Sequence, residues 1–109
     1  DIPFDTSEET TMAKAYMVVT YRSLSDPKAL EAYAKLAGPA VQAQGGRFLV
    51  RGMPTRTYEL GMNQRTVVVE FDSIEKARAA YEGPAYKKAL DALGKHAAER
   101  DMRLVEGVS

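Results

Sequence analysis

The 109-residue sequence contains no cysteine, no tryptophan and only one histidine. Without cysteine the chain can form no disulfide, iron–sulfur cluster or thiolate metal site, and it has no thiol nucleophile. A catalytic zinc site needs three protein ligands, usually rich in histidine, and scattered carboxylates around one histidine do not supply them. We therefore expect neither a metal nor a cofactor. Haem ligation by His96 is the alternative, but its charged neighbours favour a solvated helix end.

Long apolar runs and clusters of one charge are also lacking. No segment approaches the roughly 18 apolar residues of a membrane span, and no basic-then-apolar signal pattern opens the chain. The 15 basic and 15 acidic residues cancel and are interspersed, as on a solvated surface and unlike a nucleic-acid-binding face. We expect a soluble cytoplasmic domain that binds neither nucleic acid nor membrane.

Residues 1–11 differ from the rest in composition. They carry four acids and no base, and the remaining 15 basic and 11 acidic residues give the rest a charge of +4. The segment shows no periodicity, so we interpret it as a disordered leader. It is either a native acidic tail or an addition that precedes a native start at Met12. Residues 12–109 then form a single domain.

Strand-like and helix-like segments follow in the order β-α-β-β-α-β. The predicted strands are rich in valine and aromatic residues and are bounded by glycine, proline or acidic residues. They comprise residues 15–21, 47–52, 65–71 and 102–106, with 55–60 as an extension of the second strand or a separate edge piece.

Both predicted helices have capping residues at their start and a Gly-Pro pair inside. Asp26-Pro27 begins the first helix, Gly38-Pro39 is expected to kink or break it, and Gly45-Gly46 ends it. Asp72-Ser73 caps the second helix, which Gly83-Pro84 interrupts and which continues to Ala97.

The two halves of the chain repeat this pattern, and Arg47 to Gly52 matches Met102 to Gly107. Two split β-α-β units predict an α+β, ferredoxin-like sandwich, in which two helices cover one face of a four-stranded antiparallel sheet.

The uncovered sheet face is predicted to be apolar. Strand alternation turns Phe48 and Val50 toward the helices. It leaves Leu49, Thr66, Val68 and Leu104 on the other face, and the first strand is apolar on both of its sides, with Tyr16 and Val18 on one and Met17 and Val19 on the other. A second copy of the same sheet is an economical cover, so we expect a homodimer whose sheets form a shared α/β barrel. A monomer with a half-exposed apolar sheet is the alternative.

The same alternation places Arg51, Glu70 and Glu106 on the uncovered face. Charges there are costly unless they are paired or hydrated. They are either ion pairs that hold the interface or polar groups of a small-molecule cavity, in which Arg51 would bind an anion and Glu70 would act as a general base.

Four tyrosines are further candidates for a pocket: Tyr16, Tyr33, Tyr81 and Tyr86. Tyrosines at helical spacing usually belong to the core. However, Tyr33 and Tyr81 each precede a Gly-Pro pair, where a kinked helix would leave space above the sheet for a small acid or aromatic molecule.

The combined motifs resemble the DUF1330 family. They are Gly45-Gly46 with Arg51-Gly52, a valine-rich strand ending in Glu70-Phe71, Tyr81-x-Gly83-Pro84-x-Tyr86, and Glu106-Gly107. The resemblance covers Lys14 to Val108 and implies a small bacterial protein of the dimeric α/β-barrel superfamily without an established biochemical function. Enzymatic activities of other families in that superfamily do not transfer by fold alone.

Two functional hypotheses follow. One is a protein that binds or transforms a small acidic or aromatic molecule in a pocket of each subunit. The other is a non-catalytic dimeric module with no substrate, in which the same polar residues only support the interface.

Overall fold

A computed structural model describes residues 13–108, so the predictions for residues 1–11 and for Met12 lie outside the described residues. The chain forms four strands and three helices. Their bounds are β1 (Ala15–Leu24), α1 (Pro27–Ala43), β2 (Arg47–Gly52), β3 (Thr66–Phe71), α2 (Ile74–Glu82), α3 (Pro84–Leu93) and β4 (Ala98–Glu106).

The strands form one antiparallel sheet in the order β2-β3-β1-β4. One sheet face and the helices share a single core, to which the helices contribute Tyr33, Val41 and Tyr86. The predicted α+β ferredoxin-like sandwich is confirmed.

Strict alternation in the two central strands decides which face the helices cover. In β1, Met17 and Val19 are buried while Tyr16 and Val18 remain half-exposed. In β3, the buried residues are Val67, Val69 and Phe71. Directly opposed residues of an antiparallel pair project to the same face, and the pairing of Met17 with Val69 joins the two buried rows.

Helix α1 begins as expected, where the Asp26 side chain accepts a hydrogen bond from the Ala29 amide and Pro27 occupies the first turn. The predicted break at Gly38-Pro39 is wrong, because the helix continues to Ala43 with Pro39 inside it. Proline removes one hydrogen bond to the carbonyl four residues earlier. That carbonyl belongs to Lys35, which is exposed, so water can solvate it.

The second Gly-Pro pair does separate two helices, as predicted. Gly83 is extended (ψ 165°) between α2 and α3, and a β-carbon there would lie 2.8 Å from the Ala79 carbonyl oxygen. The predicted continuation of the helix to Ala97 is wrong. Gly94 ends α3 with φ 78°, and β4 begins at Ala98 rather than at Met102.

The connection between β2 and β3 is longer than expected. Residues 53–65 contain no strand, so the predicted strand extension at 55–60 is wrong. Its apolar side chains remain exposed, with Leu60 at 95% and Tyr58 at 73%. Proline at position 54 and the turn at Tyr58–Gly61 explain why it does not join the sheet.

An irregularity in β2 reverses part of the predicted face assignment. The register with β3 shifts between Phe48 and Val50, so Leu49 is an extra residue, as in a β-bulge. After the shift Val50 is opposite Val68, and Arg51 is opposite Val67. Val50 therefore projects away from the helices and Arg51 toward them, which is the opposite of both predictions.

Strand β4 also has the opposite parity to the prediction. Leu104 is opposite Met17 and is partly buried against the core, and Glu106 is opposite Ala15. Both lie on the helix-covered side of the sheet. The uncovered face instead carries an apolar set that we call the open sheet face: Tyr16, Val18, Val50, Val68 and Val105.

Candidate functional site

A cavity of about 80 Å³ lies between α1 and the covered face of the sheet. One water molecule needs about 10–15 Å³ by the same measure, so the cavity is about five to eight times that size. Its inner walls are apolar side chains such as Met17, Val41 and Val69, and its polar groups are arginines and tyrosines. We call this cavity the arginine pocket; its polar residues are Tyr21, Tyr33, Arg51, Arg65, Tyr86 and Arg100.

Strand pairing gathers the three arginines at one end of the sheet. Tyr21 is opposite Arg100 on one side, and on the other side its amide donates to the Arg65 carbonyl at 3.0 Å. Arg51, opposite Val67, lies in the next row of the same face. One end of the arginine pocket is therefore cationic and the other apolar.

The pocket arginines differ from Arg22 and Arg47 of the same sheet in the groups that neighbour them. Arg22 and Arg47 form salt bridges with carboxylates, whereas none of the salt bridges between described residues includes Arg51, Arg65 or Arg100. No aspartate or glutamate lines the pocket in the described part of the chain.

Aromatic rings, and not carboxylates, are the neighbours of these guanidinium groups. Arg51 lies 4.7 Å from the Phe48 ring centre, Arg100 lies 4.9 Å from that of Tyr33, and Arg65 lies 6.0 Å from that of Tyr21. Contacts with an aromatic face attract a cation without neutralising it, so the pocket keeps its positive charge.

Arg65 is also incompletely hydrogen-bonded. Its Nε atom is buried and has no hydrogen-bond partner among residues 13–108. A buried donor without an acceptor costs about 1–3 kcal/mol. This side chain therefore favours an acceptor that enters the pocket from outside the protein.

Two buried phenols form the wall opposite the sheet. The hydroxyl groups of Tyr33 on α1 and Tyr86 on α3 are hydrogen-bonded to each other, and Arg100 Nη1 donates to Tyr33 Oη at 2.9 Å. The two rings pack edge to face with centres 5.8 Å apart. Burial, and then the neighbouring Tyr33, raise the pKa of Tyr86, so its hydroxyl stays protonated.

The pKa of Arg100 reflects the same contacts. Burial alone would lower it, but the interactions with the oxygens of Tyr33 and Tyr86 outweigh burial and raise the pKa of Arg100. The guanidinium thus remains charged, and the Tyr86 phenol remains neutral beside it.

The structure brings three of the sequence-predicted candidates to this pocket, Arg51, Tyr33 and Tyr86. Tyr81 lies behind them, with its ring centre 5.0 Å from that of Tyr86, and does not line the cavity. Glu106 is exposed near the end of β4, away from the pocket lining.

Tyr16 and Glu70 lie on the opposite side of the sheet, where Tyr16 Oη donates to Glu70 at 2.9 Å. Arg47 forms salt bridges with Glu70 and Asp72. The hydrogen bond from Tyr16, followed by that from Arg47, lowers the pKa of Glu70. Glu70 is therefore a weak base on the wrong face, and it cannot act as the general base of the arginine pocket.

Sequence reasoning missed Tyr21, Arg65 and Arg100 as pocket residues. A signal for Arg65 was available, since it shares the parity of Val67, Val69 and Phe71. Arg100 was missed because the sequence predicted that the last strand begins at Met102, which placed Arg100 in the connection before it, whereas β4 begins at Ala98.

His96 is exposed in the connection between α3 and β4, where its carbonyl accepts a hydrogen bond from Ser25. Within residues 13–108, no group of three histidine, aspartate or glutamate side chains is placed to hold a metal ion. In the same region no helix has the length and apolarity required to cross a membrane.

Residues 14–108 match the family described as a domain of unknown function, DUF1330. The chain belongs to the DUF1330 family. Among curated proteins none matches it, so the family assignment carries no activity with it.

Solved structures support the fold of this DUF1330 domain at low sequence identity. A protein of unknown function from Rhodopseudomonas palustris is 14% identical, with a TM-score of 0.65 over 98% of this chain and 95% of the other. A point mutant of SnoaB, a cofactor-independent oxygenase from Streptomyces nogalater, is 14% identical, with a TM-score of 0.61 over 88% and 94%.

A third similar structure is a dimeric ferredoxin-like protein of unknown function from Thermobifida fusca. It is 19% identical, with a TM-score of 0.56 over 86% of this chain and 91% of the other. At such identities the similarity establishes the shared fold and not a shared activity.

Proposed function

We propose that this DUF1330 protein binds a small organic anion with an apolar body in the arginine pocket. The observation that carries the proposal is the buried Arg65 Nε, unpartnered within residues 13–108, in a cavity that three arginines and no described carboxylate line. The anionic group would contact Arg51 and Arg65, and the apolar body would lie against Met17, Val41 and Val69.

The size and shape of the pocket limit the ligand. A volume of about 80 Å³ is well below the several hundred cubic ångströms of typical drug-sized sites. We therefore expect an acid with a single ring or a short branched chain. The apolar walls supply affinity through burial, and the arginines supply selectivity for the negative charge.

The test compares acids with neutral analogues of the same shape. Calorimetry with benzoate and 4-methylpentanoate should detect binding, whereas the corresponding amides should bind about 10–100-fold more weakly, since hydrogen bonds to a charged group contribute about 1.5–3 kcal/mol. Arg65→Met should remove the preference for the acid. Arg22→Met, an exposed arginine paired with Asp101, is the matched control.

Equal affinity for acid and amide would contradict the proposal, as would acid binding that Arg65→Met leaves unchanged. Binding of neither acid nor amide would favour the alternative of a domain without a small-molecule ligand.

We also propose that two copies of the chain associate through the open sheet face. Its five apolar residues lie together, and Val50 and Val105 remain 47% and 48% exposed in one chain. Such a patch is costly in water and suits a second copy of itself. The dimeric state of the similar Thermobifida fusca protein supports this proposal.

Val68→Lys should convert the dimer into a monomer in analytical ultracentrifugation, because it places a charge at the centre of the proposed interface. Leu36→Lys, at an exposed position of α1, is the control. Arg51→Ala should leave the assembly intact, since Arg51 projects to the other side of the sheet. A wild-type protein that sediments as a monomer would refute the interface.

A further inference from the structure

The hydroxyl groups of Tyr33 and Tyr86 have one hydrogen more than their described contacts can use. Arginine only donates, and Arg100 Nη1 donates to Tyr33 Oη, so the Tyr33 oxygen acts as an acceptor toward it. Each hydroxyl also carries one hydrogen, and one of the two lies between the oxygens. The other hydrogen has no acceptor among the hydrogen bonds of residues 13–108.

This spare donor lies in the arginine pocket together with Arg65 Nε. Tyr33 and Tyr86 are both buried, and both line the cavity. The polar end of the pocket therefore presents two separate unmatched donors: the Arg65 guanidinium N–H, directly before β3, and a phenol O–H from the helices. Buried donors of this kind favour a ligand that supplies an acceptor to each.

The two donors belong to groups on either side of β1. Arg65 directly precedes β3 and Arg100 lies in β4, the two strands that flank β1, and each guanidinium lies near the Tyr21 ring. A carboxylate held by Arg51 and Arg65 would leave the Tyr33–Tyr86 pair, to which Arg100 donates, for a second group of the ligand.

We infer that the anion bound in the arginine pocket is a small oxo acid, whose carboxylate contacts Arg51 and Arg65 and whose carbonyl oxygen accepts the spare phenol hydrogen of the Tyr33–Tyr86 pair. The inference rests on the proposed function and specifies its ligand class. A carbonyl fits better than a hydroxyl group because it accepts without bringing another hydrogen into a site already rich in donors.

The experiment uses two acids of nearly equal shape, 4-oxopentanoate and 4-methylpentanoate, which differ by a carbonyl oxygen in place of a methyl group. Calorimetry on the wild-type protein and on Tyr33→Phe/Tyr86→Phe gives the ratio of their affinities in each. Both phenols are replaced because either one alone could still donate its hydrogen to the ligand. Tyr58→Phe, at an exposed tyrosine, is the control.

The preference for 4-oxopentanoate over 4-methylpentanoate should fall at least about fivefold in the double variant, as expected for the loss of one net hydrogen bond. Tyr58→Phe should leave the ratio unchanged. If both acids bind but the ratio is the same in wild type and double variant, the oxo-acid inference is wrong and the proposed anion site stands. If neither acid binds the wild-type protein, both proposals fail.

A second measurement needs no variant and decides the question if the double variant does not fold. Infrared difference spectra of isotope-labelled 4-oxopentanoate bound to the wild-type protein report the ketone stretch directly. A band shifted below its position in an apolar solvent shows that the carbonyl accepts a hydrogen bond in the pocket. A band at the apolar-solvent position would overturn the inference.

Discussion

Replacing Arg65 by methionine should stabilise the unliganded protein while it removes the affinity for organic anions. Arg65 places a positive charge and an Nε–H without a partner among residues 13–108 inside a pocket that two further arginines line. Methionine keeps an unbranched side chain that can pack along the same wall and removes both polar features.

The expected magnitude follows from two opposing contributions. Removing the unmatched buried donor gains about 1–3 kcal/mol. The contact between Arg65 and the Tyr21 ring, at 6.0 Å, lies at the outer limit of a cation–π interaction and contributes about 0.5 kcal/mol. The net gain in unfolding free energy is therefore on the order of 1 kcal/mol, which raises the melting temperature by about 4–8 °C in a domain of this size.

Thermal and urea unfolding of wild type and Arg65→Met, followed by circular dichroism in a buffer without organic acids, measure this difference. Arg22→Met is again the control. It breaks an exposed salt bridge with Asp101 and should lower stability by no more than about 1 kcal/mol. Adding benzoate should stabilise wild type alone and narrow the gap to Arg65→Met, because only a protein that binds the ligand is stabilised by it.

A lower melting temperature for Arg65→Met, with unfolding still cooperative, would refute the reasoning. It would mean that Arg65 contributes net stability and that its charge is compensated within the protein.

Two further predictions concern residues outside the arginine pocket. Gly46→Ala should destabilise the protein by about 1–3 kcal/mol in urea unfolding, because the new β-carbon would lie 2.5 Å from Val41 Cγ1 and 2.9 Å from the Val41 carbonyl oxygen. The control is Gly52→Ala, where nothing lies within 4 Å of the new β-carbon, and it should change the urea midpoint little. Native contacts lower the pKa of Glu70 below its ordinary value of 4.5, so ionised Glu70 stabilises the folded state above about pH 4.5, and this contribution is lost as the pH falls through the lowered pKa. Glu70→Gln should therefore lose less unfolding free energy than wild type between about pH 6 and about pH 3. The control is Glu106→Gln. If Glu70→Gln loses as much unfolding free energy as wild type and the control, native contacts do not lower the pKa of Glu70.

The fold was predictable from the sequence because local signals agreed with one another. Asp26-Pro27 and Ser73 cap helices as expected, and Gly45, with φ 82°, follows the end of α1. Strand β3 alternates between buried and half-exposed residues over its whole length, and β1 does so from Ala15 to Tyr21. The internal repeat then left few arrangements in which all of these elements share one core.

The candidate site was only partly predictable, because it depends on strand parity at two places. The bulge at Leu49 turns Arg51 from the open sheet face into the pocket. The early start of β4 makes Arg100 a strand residue opposite Tyr21. Neither event leaves a clear local pattern, since a register shift of one residue reverses every following side chain.

The residues of the uncovered sheet face were also only partly predictable from the sequence. That it is apolar followed from the sequence and is correct, but four residues lie on the opposite side to the prediction. Val50 lies on the open sheet face, and Leu104, Arg51 and Glu106 do not, although the total apolar character hardly changed. The apolar character of a sheet face changes little when residues of similar type exchange sides, whereas a binding site depends on which side each residue faces.

The sequence by itself determined the order of the elements, the ferredoxin-like sandwich and the apolar character of both sheet faces, because these depend on hydrophobic periodicity and on capping within short segments. Only the tertiary structure decided that Arg51, Arg65 and Arg100 meet beside Tyr33 and Tyr86. These residues come from five separate elements or loops, and their meeting depends on strand register and helix placement, which are set by packing across the whole domain.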